Sequence, residues 1–123
     1  MKLLDSLYTV ISEYPADNGH EFDIRLNPDH FIYQAHFPGE PITPGVCIMQ
    51  IAVELFEVAL KTPLALNCVK NIKFLRIISP AEVTEIRYSL QKITREEGLL
   101  KVQVTVSSGS ETYAKLSLVC NEI

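Results

Sequence analysis

The segment from Pro44 to about Lys61, PGVCIMQIAVELFEVALK, is apolar almost all the way round a helix. A helix of that kind has no face wide enough for solvent, so other elements must wrap it. Pro44 suits a first helical turn, where a missing N–H is no loss. Thr43 stands where a capping hydroxyl belongs, and Pro63 ends the run. The polar residues Gln50, Glu54, Glu57 and Lys61 fall one turn apart in succession, which places them in a single narrow stripe.

The wrapping has to come from strands. LYTVISEY (7–14) and EFDIRL (21–26) read as two strands joined by Pro15-Ala16-Asp17-Asn18-Gly19, with Asn18-Gly19 as the hairpin signal. After the helix, 66–78, 82–93, 99–106 and 112–119 are strand-like, separated by Ser79-Pro80, Glu96-Glu97-Gly98 and Ser108-Gly109-Ser110. KVQVTV and ETYAKLSL alternate apolar with polar, the pattern of an antiparallel sheet with one wet face. Two strands, one long helix and four strands predict an α+β fold in which an antiparallel sheet curls around the helix. At 123 residues the chain, 1–123, holds one domain.

Composition excludes several functions. Eleven Lys and Arg against fifteen Asp and Glu give a net charge of -4, which lacks the basic footprint of a nucleic-acid binder. Three cysteines at unrelated spacings, each among apolar neighbours, suit free thiols in a reducing compartment. There is no C-x-x-C or H-x-x-x-H to hold a metal. The expectation is a cytoplasmic protein with no cofactor, no signal peptide and no membrane insertion.

The chemistry concentrates in HFPGEPITPGV, residues 36–46. Pro38, Pro41 and Pro44 stiffen a loop that delivers His36 to the start of the helix. Gly45 lies in the first turn, where N–H groups lack intrahelical partners and the dipole favours negative charge. A carbonyl oxygen polarised there would resemble one in an oxyanion hole. An imidazole nearby could exchange a proton with the polarised ligand. On residue types alone, His36 could equally sit in a merely rigid surface turn. Cys47, also in the first turn, raises the possibility of a dipole-activated thiol, against the simpler reading as core.

The pattern H-F-P-G-x-P-x-x-P-G-V resembles the active-site segment of the 3-hydroxyacyl-[acyl-carrier-protein] dehydratases, which have the hot-dog fold. Asp29-His30-Phe31-Ile32 before it is part of the likeness. So is Lys73-Phe74-Leu75-Arg76 followed by Ser79-Pro80, similar to the family's K-F-x-R-x-x-x-P-G with Ala81 in place of the glycine. The resemblance implies that His36 is the base taking the α-proton of a 3-hydroxyacyl thioester and that the Gly45 N–H polarises its carbonyl. It implies that Phe37, Pro44, Val46 and Met49 line the acyl site. It also implies an acyl carrier protein as partner and a homodimer or trimer of dimers, in which the histidine of one subunit works with an acid from the other. Lys70, Lys73 and Arg76 would be near enough in sequence to help dock the carrier.

The sequence departs from that family at the acid. Where the family has Glu or Asp this chain has Gln50, and where the family commonly has Gln, one turn on, it has Glu54. An amide cannot protonate a departing hydroxyl, and losing a general acid costs about 10²–10⁴-fold in rate. Three readings stay open. Glu54 delivers the proton itself, its pKa raised by partial burial; or a paralogue in a hetero-oligomer supplies the acid; or the stripe from Gln50 to Lys61 is simply solvated, with Glu57 and Lys61 as an i,i+4 pair. A hot-dog thioesterase is a further possibility, with Glu54 as the only carboxylate able to activate water.

Overall fold

A computed structural model of the chain describes residues 2–35 and 39–123. The elements run β1 (Tyr8–Ala16), β2 (Gly19–Leu26), α1 (Ile32–Ala35), α2 (Gly45–Leu60), β3 (Leu64–Phe74), β4 (Glu85–Glu96), β5 (Leu99–Ser108) and β6 (Glu111–Glu122). All six strands form one sheet in the order β1-β2-β4-β5-β6-β3, and every neighbouring pair is antiparallel. This is the expected α+β hot-dog fold.

A flat sheet could not enclose a helix. Register shifts between Val10 and Ser12, Leu66 and Cys68, Val69 and Asn71, and Gln91 and Thr94 break the ladders. Such bulges bend the strand and sharpen its twist, which lets the sheet curl. Its inner face, with Phe22, Ile24, Tyr88, Leu90, Val104 and Leu118 all buried, closes on α2. From α2 come Ile51, Ala52, Leu55 and Phe56, each fully buried. Burying a Leu or Phe side chain contributes about 1.5–3 kcal/mol, so this helix is the centre of the core.

Several details differ from the sequence expectation. The first hairpin turns at Asp17-Asn18, and Gly19 is already in β2 opposite Ala16. What demands glycine there is proximity: a Cβ on Gly19 would overlap the carbonyl oxygen of Leu90 on β4. β3 ends at Phe74 rather than Ile78, because the N–H groups of Leu75 and Arg76 both turn to the Tyr113 carbonyl. The short α1 carries no periodicity that a sequence reading could detect. No helix among the described residues is long and apolar enough to cross a membrane.

Candidate active site

The helix begins one residue later than expected. Pro44 is its N-cap, in an extended conformation, and no side chain caps it. The N–H groups of Cys47 and Ile48 both donate to the Pro44 carbonyl, at 2.9 and 3.1 Å. The N–H groups of Gly45 and Val46 therefore come before the first intrahelical bond, as the ends of helices require. Thr43 does not cap. Its N–H donates to the Ile78 carbonyl at 2.8 Å, and its hydroxyl lies 3.0 Å from the Tyr33 hydroxyl.

Phe74, at the end of β3, lies against Gly45, and a Cβ at that position would sit 2.8 Å from the ring. Beside them is a groove of about 520 Å³, walled by Ile42, Ile48, Phe74, Leu75 and Ile77, with Arg76 at its edge. Arg76 already pairs with Glu111, Nε to Oε2 at 2.8 Å. The groove joins an apolar wall to a helix N-terminus, a combination that suits a molecule with a carbonyl and a hydrocarbon chain.

Of the residues expected at the site, Gly45 is at this groove. Pro44 and Met49 are half-buried and Val46 is exposed, and none of the three lines the groove. His36 and Phe37 lie outside the described residues. Sequence reasoning missed Ile42 and Ile77 as walls. Ile42 stands alone between Pro41 and Thr43, and the only signal for Ile77 is the mostly apolar stretch after Phe74.

The Gln50–Glu54 pair has a definite arrangement. Gln50 Nε2 donates to Glu54 Oε2 at 2.8 Å. The same oxygen accepts the Leu3 N–H at 2.8 Å, while Oε1 accepts the Leu4 N–H at 2.8 Å and the Tyr8 hydroxyl at 3.0 Å. Glu54 is only 2% exposed, so the reading of a solvated stripe fails at this residue. Four donors saturate its lone pairs. Burial pushes the Tyr8 phenol well above its usual range, and the adjacent Glu54 charge and hydrogen bond push it further, which keeps that phenol a donor. Glu57, in turn, accepts the Leu64 N–H at 2.8 Å and so ties the helix to the start of β3.

Cys47 is 1% exposed, and burial raises its thiol pKa rather than the helix dipole lowering it. That disfavours the thiolate, so the dipole-activated nucleophile gives way to core packing.

A helix wrapped in one antiparallel sheet, with an apolar groove at its N-terminus, defines a hot-dog fold. The chain belongs to the ApeI-like family, whose model, described as ApeI dehydratase, matches residues 12–115. It is 32% identical over 95 residues to the 3-hydroxyacyl-[acyl-carrier-protein] dehydratase FabZ of Latilactobacillus sakei, covering 72% of this chain and 68% of the relative. It is 31% identical over 96 residues to FabZ of Clostridium acetobutylicum, covering 72% and 67%. Among solved structures, the dehydratase heterocomplex ApeI:P from Xenorhabdus doucetiae has a chain of the same fold. The TM-score is 0.67 at 19% identity, over 92% of this chain and 96% of that one.

Proposed function

We propose that this chain is the base-supplying subunit of a hetero-oligomeric dehydratase acting on 3-hydroxyacyl thioesters carried by acyl carrier protein. The acid comes from a paralogous subunit. His36 takes the α-proton while the Gly45 N–H, with the helix dipole behind it, polarises the thioester carbonyl. The C3–O bond breaks as the C2–C3 double bond forms. The hydroxyl leaves as water with a proton from the partner's acid, and the product is a 2-enoyl thioester. No redox step or metal is needed to balance this reaction.

One observation carries the reading: Glu54 is saturated by Leu3, Leu4, Tyr8 and Gln50. A carboxylate enclosed by four donors is an acceptor, and a proton placed on either oxygen would face a donor. The same geometry weighs against Glu54 as the acid of a homomeric dehydratase and against Glu54 as the water-activating base of a thioesterase. Relatives named for their action on acyl-carrier-protein substrates support the substrate class. A structural neighbour that is a dehydratase heterocomplex supports the mixed assembly.

The test is hydration of a crotonyl-type thioester by the purified protein and its Gln50→Glu variant. Restoring a carboxyl at position 50 should raise the rate by about 10²–10⁴-fold, the usual worth of a general acid. His36→Ala in that variant should abolish it. Full activity in the unaltered protein alone, lost in Glu54→Gln without loss of folding, would sink the proposal.

A further inference from the structure

We infer that the hydrogen bond between Tyr33 and Thr43 is a buried clasp. It fixes α1 against the N-terminus of α2 and makes both side chains positioning residues for the site. The inference rests on the functional reading above only for the roles of His36 and the Gly45 N–H; the clasp itself rests on geometry. The two hydroxyl oxygens are 3.0 Å apart, and Tyr33 and Thr43 are 3% and 4% exposed. They stand at the two ends of the segment that contains His36, and Gly45 follows Thr43 by two residues.

Each partner is held from its other side. The Thr43 N–H is bonded to the Ile78 carbonyl, and Ile78 is buried. The Tyr33 N–H donates to the His30 carbonyl at 3.1 Å, closing the turn that starts α1. Behind them Tyr88, fully buried on β4, donates to the Ile48 carbonyl at 3.0 Å, one turn into α2. Tyr88 therefore ties the first turn of α2 to the sheet, while Tyr33 bonds the residue just before its N-cap.

Packing alone does not account for these hydroxyls. Phe at 33 and Val at 43 would fill almost the same volume without polar atoms to bury, and a buried hydroxyl is tolerated only with a partner. Thr43 also stands beside the N-cap and forgoes a capping bond. What the O–H···O bond adds is direction. It sets the separation between α1 and the residues leading into α2, the two ends of the loop to which the functional reading assigns the base.

The experiment uses the full chain in four forms: unaltered, Tyr33→Phe, Thr43→Val and Thr43→Ser. The first readout is the imidazole ¹³C–¹H NMR signal of His36, assigned by its loss in His36→Ala, with His20 on β2 as internal control. Tyr33→Phe and Thr43→Val should shift or broaden the His36 signal and leave His20 in place, while Thr43→Ser, which keeps a hydroxyl, should match the unaltered protein. In the Gln50→Glu protein, the first two changes should lower kcat on the order of 10-fold or more with KM nearly constant. If Tyr33→Phe and Thr43→Val lower only the melting temperature, and the His36 signal and kcat stay put, the clasp is mere packing and the inference is overturned. Should Gln50→Glu itself prove inactive, the functional reading falls while the NMR comparison still decides the clasp.

Discussion

Replacing Glu54 by Gln is the sharpest probe of this site, because shape is kept and only acceptor capacity changes. Each carboxylate oxygen takes two donors: Leu4 N–H and Tyr8 O–H on Oε1, Leu3 N–H and Gln50 Nε2 on Oε2. In the amide one oxygen becomes an NH₂ group, and two of these four bonds turn into donor-to-donor contacts. A hydrogen bond to a charged group contributes about 1.5–3 kcal/mol, and a stranded buried donor costs about 1–3 kcal/mol. The Tyr8 hydroxyl can rotate to accept from the new NH₂, which rescues one contact if the amide is oriented that way. Removing a buried charge offsets a further part of the loss. The net destabilisation expected is about 2–4 kcal/mol.

Urea unfolding at neutral pH measures this directly. With a slope of about 2 kcal/mol/M, the middle of the range for small proteins, the midpoint should fall by about 1–2 M with the slope unchanged. Both proteins must be compared at one concentration, since self-association shifts apparent stability. The N-terminal residues should loosen first, because Leu3 and Leu4 are held through their amides, and their hydrogen exchange should quicken. An unchanged midpoint, or unchanged stability with activity lost, would refute the view that Glu54 holds the fold.

Three further outcomes follow from the same geometry. Cys47 and Cys120 are buried, and burial raises both thiols, Cys120 to about 11 with the Glu57 charge adding to the effect; only Cys68, half-buried on β3, should react quickly with a disulfide reagent before unfolding. Gly19→Ala places a methyl against the Leu90 carbonyl, and because that neighbour is backbone the change should cost about 1–3 kcal/mol and lower the melting temperature. Asp23 takes two bonds from Arg87, at 2.8 and 3.0 Å, which hold its carboxyl below the ordinary 3.8. The folded chain then binds this proton less readily than the unfolded one, so the stabilisation is present above pH 3.8 and is lost as pH falls through the lowered value. Asp23→Asn should flatten that acid limb in unfolding curves taken from pH 6 downward, by a small margin since Arg87 is 43% exposed.

The fold is legible in the sequence because its main constraint is one-dimensional. A helix apolar on all sides can only be wrapped, and alternating strands on either side of it supply the wrapping. What escapes is set by long-range partners. β3 stops at Phe74 although the apolar run continues to Ile78, because Tyr113 on β6 captures the next two N–H groups and Thr43 captures the Ile78 carbonyl. The groove at Gly45 is likewise assembled from residues on both sides of α2 in the chain. Nothing at Ile42 or Ile77 marks them as neighbours.

The exchanged pair shows the same limit at the level of chemistry. That Gln50 and Glu54 face one way is readable from their spacing, and so is the absence of an acid at position 50. That Glu54 meets four donors is not readable, because two of them are backbone N–H groups some fifty residues away with no side-chain signature. A carboxylate accepts at both oxygens, whereas an amide accepts at one. Position 54 needs two accepting oxygens to hold Leu3, Leu4 and Tyr8, and Gln50 supplies the fourth donor. The carboxylate that anchors the N-terminal segment is thus one turn away from position 50, where the family resemblance would put the acid. If the acid is borrowed from another subunit, as proposed, then Glu54→Gln should weaken folding without touching the chemistry, whereas Gln50→Glu should raise the rate at some cost in stability, since it replaces a donor to Glu54 by a second carboxyl.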